Sequence, residues 1–251
     1  MTIKTQLELE MLKKAGSVVS NTLQLMLRSI EEGMTTLELD LIAQKNFEKF
    51  GARSAPKLTY NFPGHTCISI NEEVAHGIPG DKIIRKGDLI NIDVSCELNG
   101  YFADTGASIQ FDEVDPKLTE LMLTTKKALK ESIKKCRPGK RLNLIGQTIE
   151  TTARRAGFTV IENIGSHGVG SSLHEAPEFI AGFYDSKDRR LMHEGQVFTI
   201  EPFISTGARY VEEQADKWTL ATSPQFRTVQ YEHTIVVTKN SPIVITANPM
   251  I

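Results

Sequence analysis

The sequence predicts one mixed α/β domain of the α+β type: two similar helix–strand halves around a central antiparallel sheet. Three observations carry that expectation. Helical and strand patterns run in the order helices, strands, helices, strands, and no Pro- or Ser-rich linker divides them. The dipeptide Asn99-Gly100, the strongest short hairpin signal, joins two alternating runs. Glycine-bracketed helices and acid-tipped strands recur in both halves in the same order.

The elements follow in turn. Thr5-Gln6-Leu7-Glu8 fits a capping box, and Leu7, Met11, Ala15, Val18 and Val19 then recur at helical spacing. Gly33 breaks that pattern. Thr35-Thr36-Leu37-Glu38 opens a second helix with Leu39, Ala43, Phe47 and Phe50 on its apolar side, and Gly51 closes it. From Ala55 to Gly80 the texture is Pro, Gly, Asn and short β-branched runs. Asp88 to Glu97 alternates as a strand, and Tyr101 to Gln110 returns. Asp115-Pro116 caps a third helix through Leu118, Leu121, Ala128 and Ile133. A fourth runs near Leu142 to Arg155 and stops at Gly157. Strands are then expected at Thr159–Ile161, Gln196–Ile204 and Thr228–Val237.

The repeat is specific in its order. Gly33 and Gly51 bracket one helix, Gly139 and Gly157 another, and each pair is 18 positions apart. Gly87 to Asp93 matches Gly195 to Glu201: glycine, apolar alternation, then an acid. A His-x-x-Pro precedes each, at His76–Pro79 and His174–Pro177, and each strand is followed by a second acid, Asp104 or Glu232. The reading is an internal duplication within a single domain 1–251, with halves of about 1–112 and 113–251.

Composition narrows the class. A chain of 251 residues with 40% hydrophobic and 24% charged residues is that of a globular protein. Lys+Arg at 29 against Asp+Glu at 31 argues against a partner bound by phosphate neutralisation, so no nucleic acid is expected. Cys67, Cys96 and Cys136 are three and widely spaced, which fits reduced thiols and neither disulfides nor a structural zinc site. Met1–Thr5 has no apolar run, and no stretch approaches the roughly 18–20 residues of a membrane span. The expected location is the cytoplasm.

A two-residue turn at Asn99-Gly100 places Leu98 opposite Tyr101 and Asp93 opposite Gly106. Asp104 is then a diagonal neighbour of Asp93 on the same face, within ~7–8 Å. One acid on such a strand is most simply an ion-paired or surface residue. Two acids this close, echoed by Glu201 and Glu232, repel unless a cation lies between them. Ser166-His167-Gly168-Val169-Gly170 reads as a small-residue loop, which suits a side chain that must sit close to an ion, so His167 is the histidine best placed to join them. His65, His193 and His233 have weaker context and are assigned no role.

Asn71-Glu72-Glu73-Val74-Ala75-His76-Gly77-Ile78-Pro79, Asn91-Ile92-Asp93 with Asp104, His167-Gly168-Val169-Gly170, His174-Glu175-Ala176-Pro177, Thr199-Ile200-Glu201-Pro202 and Gln230-Tyr231-Glu232-His233-Thr234 together resemble the type I methionine aminopeptidases. The resemblance covers essentially the whole chain. It implies the pita-bread fold, an internally duplicated unit with its site on the pseudo-symmetry axis. It implies five ligands, Asp93, Asp104, His167, Glu201 and Glu232, for two divalent metal ions (Co, Mn, Fe or Zn), a hard oxygen-rich set. The implied activity is removal of N-terminal methionine from nascent proteins and peptides, with a small second residue preferred. Hydroxide generated on the metal would attack the first peptide bond. In the same resemblance Glu201 is the proton shuttle, His174 bonds the developing oxyanion, His76 contacts the scissile amide, and Phe62, Cys67 and Trp218 surround the methionine side chain. The partners implied are N-termini of nascent chains, with ribosome association compatible, no membrane, and a monomeric enzyme.

The chain departs from the commonest pattern at two places. It reads Thr59-Tyr60-Asn61-Phe62-Pro63 where many relatives read Tyr-His-Gly-Phe-Pro, and Leu173 where an aromatic often precedes the second histidine. Proline-type peptidases of the same fold usually add a sizeable N-terminal domain, for which this chain has no room. Only 31 positions separate Glu201 from Glu232, too few for the helical insertion of the type II enzymes. A binding module that had lost catalysis would lack ligands, and all five are present.

Overall fold

The computed structural model describes all residues, Met1–Ile251. Five helices form. Helix α1 (Gln6–Arg28) and α2 (Thr36–Phe50) both begin in full capping boxes, Thr5 with Glu8 and Thr35 with Glu38, so the orphan N–H groups of the first turn are satisfied locally. Gly51 ends α2 in the left-handed conformation. A short α3 (Ala55–Tyr60) follows, capped by Ser54 and closed by left-handed Asn61; the Pro- and Gly-rich texture of this region concealed it. Helix α4 (Pro116–Ile133) starts on the Asp115 side chain as expected, and α5 is Asn143–Arg155.

All strand pairings are antiparallel. Leu89–Leu98 and Tyr101–Gln110 form the hairpin in the predicted register, Asp93 opposite Gly106 and Ser95 opposite Asp104. Asn99 and Gly100 both have positive φ (53° and 85°), which gives the turn the twist that a two-residue hairpin needs. The other edge of Leu89–Leu98 takes Cys67–Ile70, with Cys67 opposite Asp93.

The second half builds a five-stranded sheet in the order Ile243–Val244, His233–Val236, Val197–Ile200, Gly165–Gly168, Glu175–Ala181. Here the structure differs from expectation. The segments read as continuous strands, 196–204 and 228–237, are each interrupted. Val197–Ile200 belongs to the five-stranded sheet and Phe203–Ser205 to a three-stranded one; His233–Val236 and Thr228–Gln230 divide in the same way. Pro202 cannot donate to a ladder, so the chain leaves one sheet and enters the next at that point. Ile200 pairs with His233 and Phe203 with Gln230, so a single register spans the gap and sets Glu201 opposite Glu232. His167 likewise lies in an interior strand and not in a loop, because Gly165–Gly168 pairs on both sides.

One apolar core draws on both halves: Leu23 and Met26 of α1, Ile90 and Ile92 of the hairpin, Leu121 of α4, Ile149 of α5, Phe198 and Ile235. No helix is long and apolar enough to cross a membrane. Helix α5 lies so close to the turn after Glu175–Ala181 that a Cβ on Gly146 would stand 2.1 Å from the Phe183 carbonyl oxygen and 2.4 Å from that of Ala181. Gly146→Ala is therefore expected to destabilise the fold by about 1–3 kcal/mol, because backbone must move. Gly80→Ala, where a Cβ meets nothing within 4 Å, should stay within about 0.5 kcal/mol. Urea midpoints of the two variants check the contrast.

Candidate metal centre and active site

The interrupted strands and the hairpin deliver their acids to one place. Asp104, His167, Glu201 and Glu232 are all buried, and Asp93 is the most open of the group. Asp104, His167 and Glu232 each offer a ligand atom within 4.8 Å of the other two. His167 Nε2 lies 3.8 Å from Asp104 Oδ2 and 3.5 Å from Glu201 Oε1.

The backbone and neighbouring hydroxyls fix each of these side chains. The Thr199 hydroxyl accepts from the His167 N–H (3.1 Å) and donates to Glu201 Oε1 (2.8 Å). The Glu201 N–H donates to Ser166 Oγ at 3.0 Å. Thr234 Oγ1 accepts from the Asp104 N–H at 3.0 Å and donates to its carbonyl at 2.8 Å. Gln230 Nε2 donates to Glu232 Oε2 (3.0 Å), and Asn91 Nδ2, donating to Gln230 Oε1 (2.8 Å), sets which way that amide faces.

Electrostatics leaves this cluster two stable states, protonated or neutralised by a cation. Burial pushes the Asp93 carboxyl up to about 6. Burial, reinforced by neighbouring carboxylates, pushes Asp104, Glu201 and Glu232 well above the usual carboxylate range. Burial holds His167 down to about 3, so the ring is neutral. Its Nδ1 lies 3.1 Å from the Gly168 carbonyl oxygen, which can only accept. The proton therefore sits on Nδ1, and Nε2 turns a lone pair toward carboxylate oxygens. Asp104 Oδ1 and Glu232 Oε1 are buried with no hydrogen-bond partner. A lone pair and two orphaned carboxylate oxygens facing one another fit a bound divalent cation, and this donor set suits hard or borderline ions.

A cavity of about 410 Å³ opens above the cluster. Nine of the ten residues singled out in the sequence line it; the tenth, Glu232, does not, but its ligand atom lies within 4.8 Å of those of Asp104 and His167. Phe62 and Trp218 meet edge to face at 5.2 Å on its apolar side, with Cys67, Ile164, Leu173 and Phe203 beside them. Trp218 is placed by Asp216, whose carboxylate accepts its N–H at 2.9 Å. Burial and the nearby Asp93 hold the Cys67 thiol far up, so it is a wall and not a nucleophile. His76 sits at φ 56°, a left-handed conformation that costs a residue with a Cβ of order 1 kcal/mol. Its ring has no hydrogen-bond partner in the protein and faces the cavity. The His174 ring lies 3.9 Å from that of His167, and burial together with neighbouring His76 lowers it to about 4. His233 bonds Thr246 (3.0 Å), His65 stands beside Lys57, and His193 is exposed; none reaches the site.

Sequence reasoning did not assign roles to several residues here. Thr199 and Gln230 precede Glu201 and Glu232 by two positions, and same-face alternation was the available signal for both. Asp40 on α2, which accepts from the Thr66 N–H (2.8 Å) and hydroxyl (2.7 Å) and pins the chain leading to Cys67, had no local signal. Tyr60, whose hydroxyl lies 2.7 Å from His174 Nδ1, bridges 114 positions and had none either.

Comparison with known proteins agrees with this geometry. The model of metallopeptidase family M24 matches residues 10–239. A methionine aminopeptidase of Staphylococcus epidermidis is 47% identical over 247 residues, 98% of each chain. Methionine aminopeptidase 2 of Bacillus subtilis is 45% identical over 98% of this chain and 99% of its own. The crystal structure of a methionine aminopeptidase from Thermotoga maritima superposes with a TM-score of 0.94 at 33% identity, covering 99% of this chain and all of the other. The chain belongs to metallopeptidase family M24, on its type I methionine aminopeptidase branch, and has the pita-bread fold of that branch.

These shifted groups set the pH dependence of the metal-free protein. Carboxyls held high stabilise the fold fully only below their ordinary range, and that contribution is lost as pH rises through about 6 for Asp93 and well above the ordinary carboxylate range for the other three. The low-held imidazoles act in the opposite sense, and their contribution is complete above their ordinary 6.5. From 6.5 to about 8.5 only the carboxyls act, so the urea midpoint of chelator-treated protein should fall steadily across that interval. A flat or rising midpoint would show that these carboxyls do not hold protons in the folded chain.

Proposed function

We propose that the chain is a metal-dependent aminopeptidase that removes methionine from the N-termini of nascent proteins and peptides, preferring a small second residue. The observation that carries this reading is the anionic cluster with two orphaned buried oxygens at the floor of an apolar cavity. Asp93, Asp104, His167, Glu201 and Glu232 would hold two divalent ions, drawn from Co, Mn, Fe or Zn. Bound there, such ions would acidify a water at neutral pH and polarise a carbonyl.

The remaining work falls to side chains. Phe62, Cys67 and Trp218 give the unbranched thioether an apolar, adaptable slot. Asp93, the most open carboxyl, faces the substrate's α-ammonium, which restricts cleavage to the first residue. His76, free of protein partners, bonds the scissile amide. His174 donates to the oxygen that becomes negative, and Glu201 moves the proton from water to the leaving amine.

Peptide hydrolysis tests the specificity. Met-Ala-Ser should be cleaved well, Met-Lys-Ser and Ala-Pro-Ser poorly, with activity lost to chelator and restored by Mn or Co. Preferential cleavage of Ala-Pro-Ser would instead indicate a proline-type peptidase. The ligand assignment has its own check. Thr199→Val removes the hydroxyl that orients Glu201 and anchors the His167 N–H, and should weaken metal binding about 10–100-fold by calorimetry. Unchanged affinity would sink that assignment.

A further inference from the structure

The contact between Tyr60 and His174 has no part in the reading above. Tyr60 is the last residue of α3, where its backbone is closed down by the Asn61 N–H donating to the Lys57 carbonyl (3.1 Å) and the Phe62 N–H donating to that of Pro56 (3.3 Å). The same closure sends Phe62 into the apolar wall and leaves Tyr60 at the cavity mouth. Its hydroxyl lies 2.7 Å from His174 Nδ1, with the rings 5.5 Å apart and tilted by 53°. His174 is held from a second side, because its carbonyl accepts from Ser172 Oγ at 2.9 Å. No group of the chain bonds its Nε2.

A neutral imidazole carries one proton, on either nitrogen, and a carbonyl that gains negative charge needs the nitrogen facing it to be the protonated one. The phenol keeps its own proton, since burial and the charge of Asp104 raise it. Nδ1 of His174 is the only protein acceptor that the hydroxyl meets. We infer that Tyr60 is a positioning residue for His174: its hydroxyl donates to Nδ1, holds the proton of the neutral ring on Nε2, and so presents a fixed N–H donor to the scissile carbonyl. The reverse arrangement, Nδ1–H donating to the phenol oxygen, would set a lone pair against the developing oxyanion. The inference rests on the proposed peptidase reaction for its kinetic consequence, but the tautomer itself does not.

Two measurements decide it. In ¹⁵N-histidine-labelled, zinc-loaded protein, long-range ¹H–¹⁵N spectra should show His174 protonated on Nε2, with the resonance assigned by its loss in His174→Ala. Tyr60→Phe keeps the ring and removes only the donor, so the Nδ1 signal should move downfield. With Met-Ala-Ser, Tyr60→Phe should lower kcat about tenfold and leave KM within about twofold, as expected for one lost hydrogen bond that acts in the transition state. In a His174→Ala background the same change should alter kcat by less than about twofold, because the two residues act as one unit. A proton found on Nδ1 in the unsubstituted protein, or an equal loss with and without His174, would overturn the inference. If no methionine peptide is cleaved at all, the peptidase reading fails, while the spectra still judge Tyr60.

Discussion

Mutual repulsion among four clustered carboxyls, three of them buried, is the constraint on which the rest of this molecule depends. Asp93, Asp104, Glu201 and Glu232 come from four separate chain segments; the last three are buried where water screens them little, and Asp93 is partly open at the cavity. Such a set is tolerable only protonated or around cations. The neutral His167, its lone pair directed inward, leaves the second option as the chemically productive one. A purely structural core would have spent these positions on apolar side chains, as the surrounding Ile90, Ile92, Phe198 and Ile200 do.

Holding those groups together needs a rigid frame, and the frame is built from main-chain geometry more than from side-chain packing. The hairpin fixes Asp93 and Asp104 by register alone. Glu201 and Glu232 occupy the point where paired strands pass from one sheet to another, and their N–H groups turn elsewhere, that of Glu201 to Ser166 Oγ and that of Glu232 to the Gly106 carbonyl of the hairpin (2.8 Å). Thr199, Thr234, Ser166 and Gln230 then satisfy the polar groups that this crossing exposes. The helices do not contribute ligands. They cover the outer faces and, through Asp40 on α2 and the closure of α3, aim the segment that carries Tyr60, Phe62 and Cys67.

Catalytic capacity arises from contrasts within a short distance. Carboxyls pushed up and imidazoles pushed down share one low-dielectric site, so proton-holding and proton-releasing groups stand side by side. The cavity wall opposite is apolar, with an aromatic pair as its firmest part. In the proposed reaction, affinity for a thioether and chemistry at a carbonyl fall to different faces of the same volume.

The sequence by itself determined what depends on local rules. Asn99-Gly100 dictated a turn type, the turn dictated the register, and the register put Asp93 and Asp104 on one face. Thr5 with Glu8 and Asp115-Pro116 marked helix starts because capping is satisfied within four residues. The paired His-x-x-Pro and acid-tipped strands pointed to residues that the fold gathers around one cavity, and the resemblance to a known family named the chemistry. What only the tertiary structure decided depends on contacts between distant segments. Pro202 signalled a break, but not that Glu201 would lie opposite Glu232 at a crossing between sheets, since that needs a partner strand some thirty positions away. The glycines around His167 read as a loop because flanking strands, not local preference, hold them extended. Tyr60, Asp40 and Asn91 each act across a long separation in sequence, and no rule of spacing reaches that far; a hydrogen bond to a distant residue is written only in the folded coordinates.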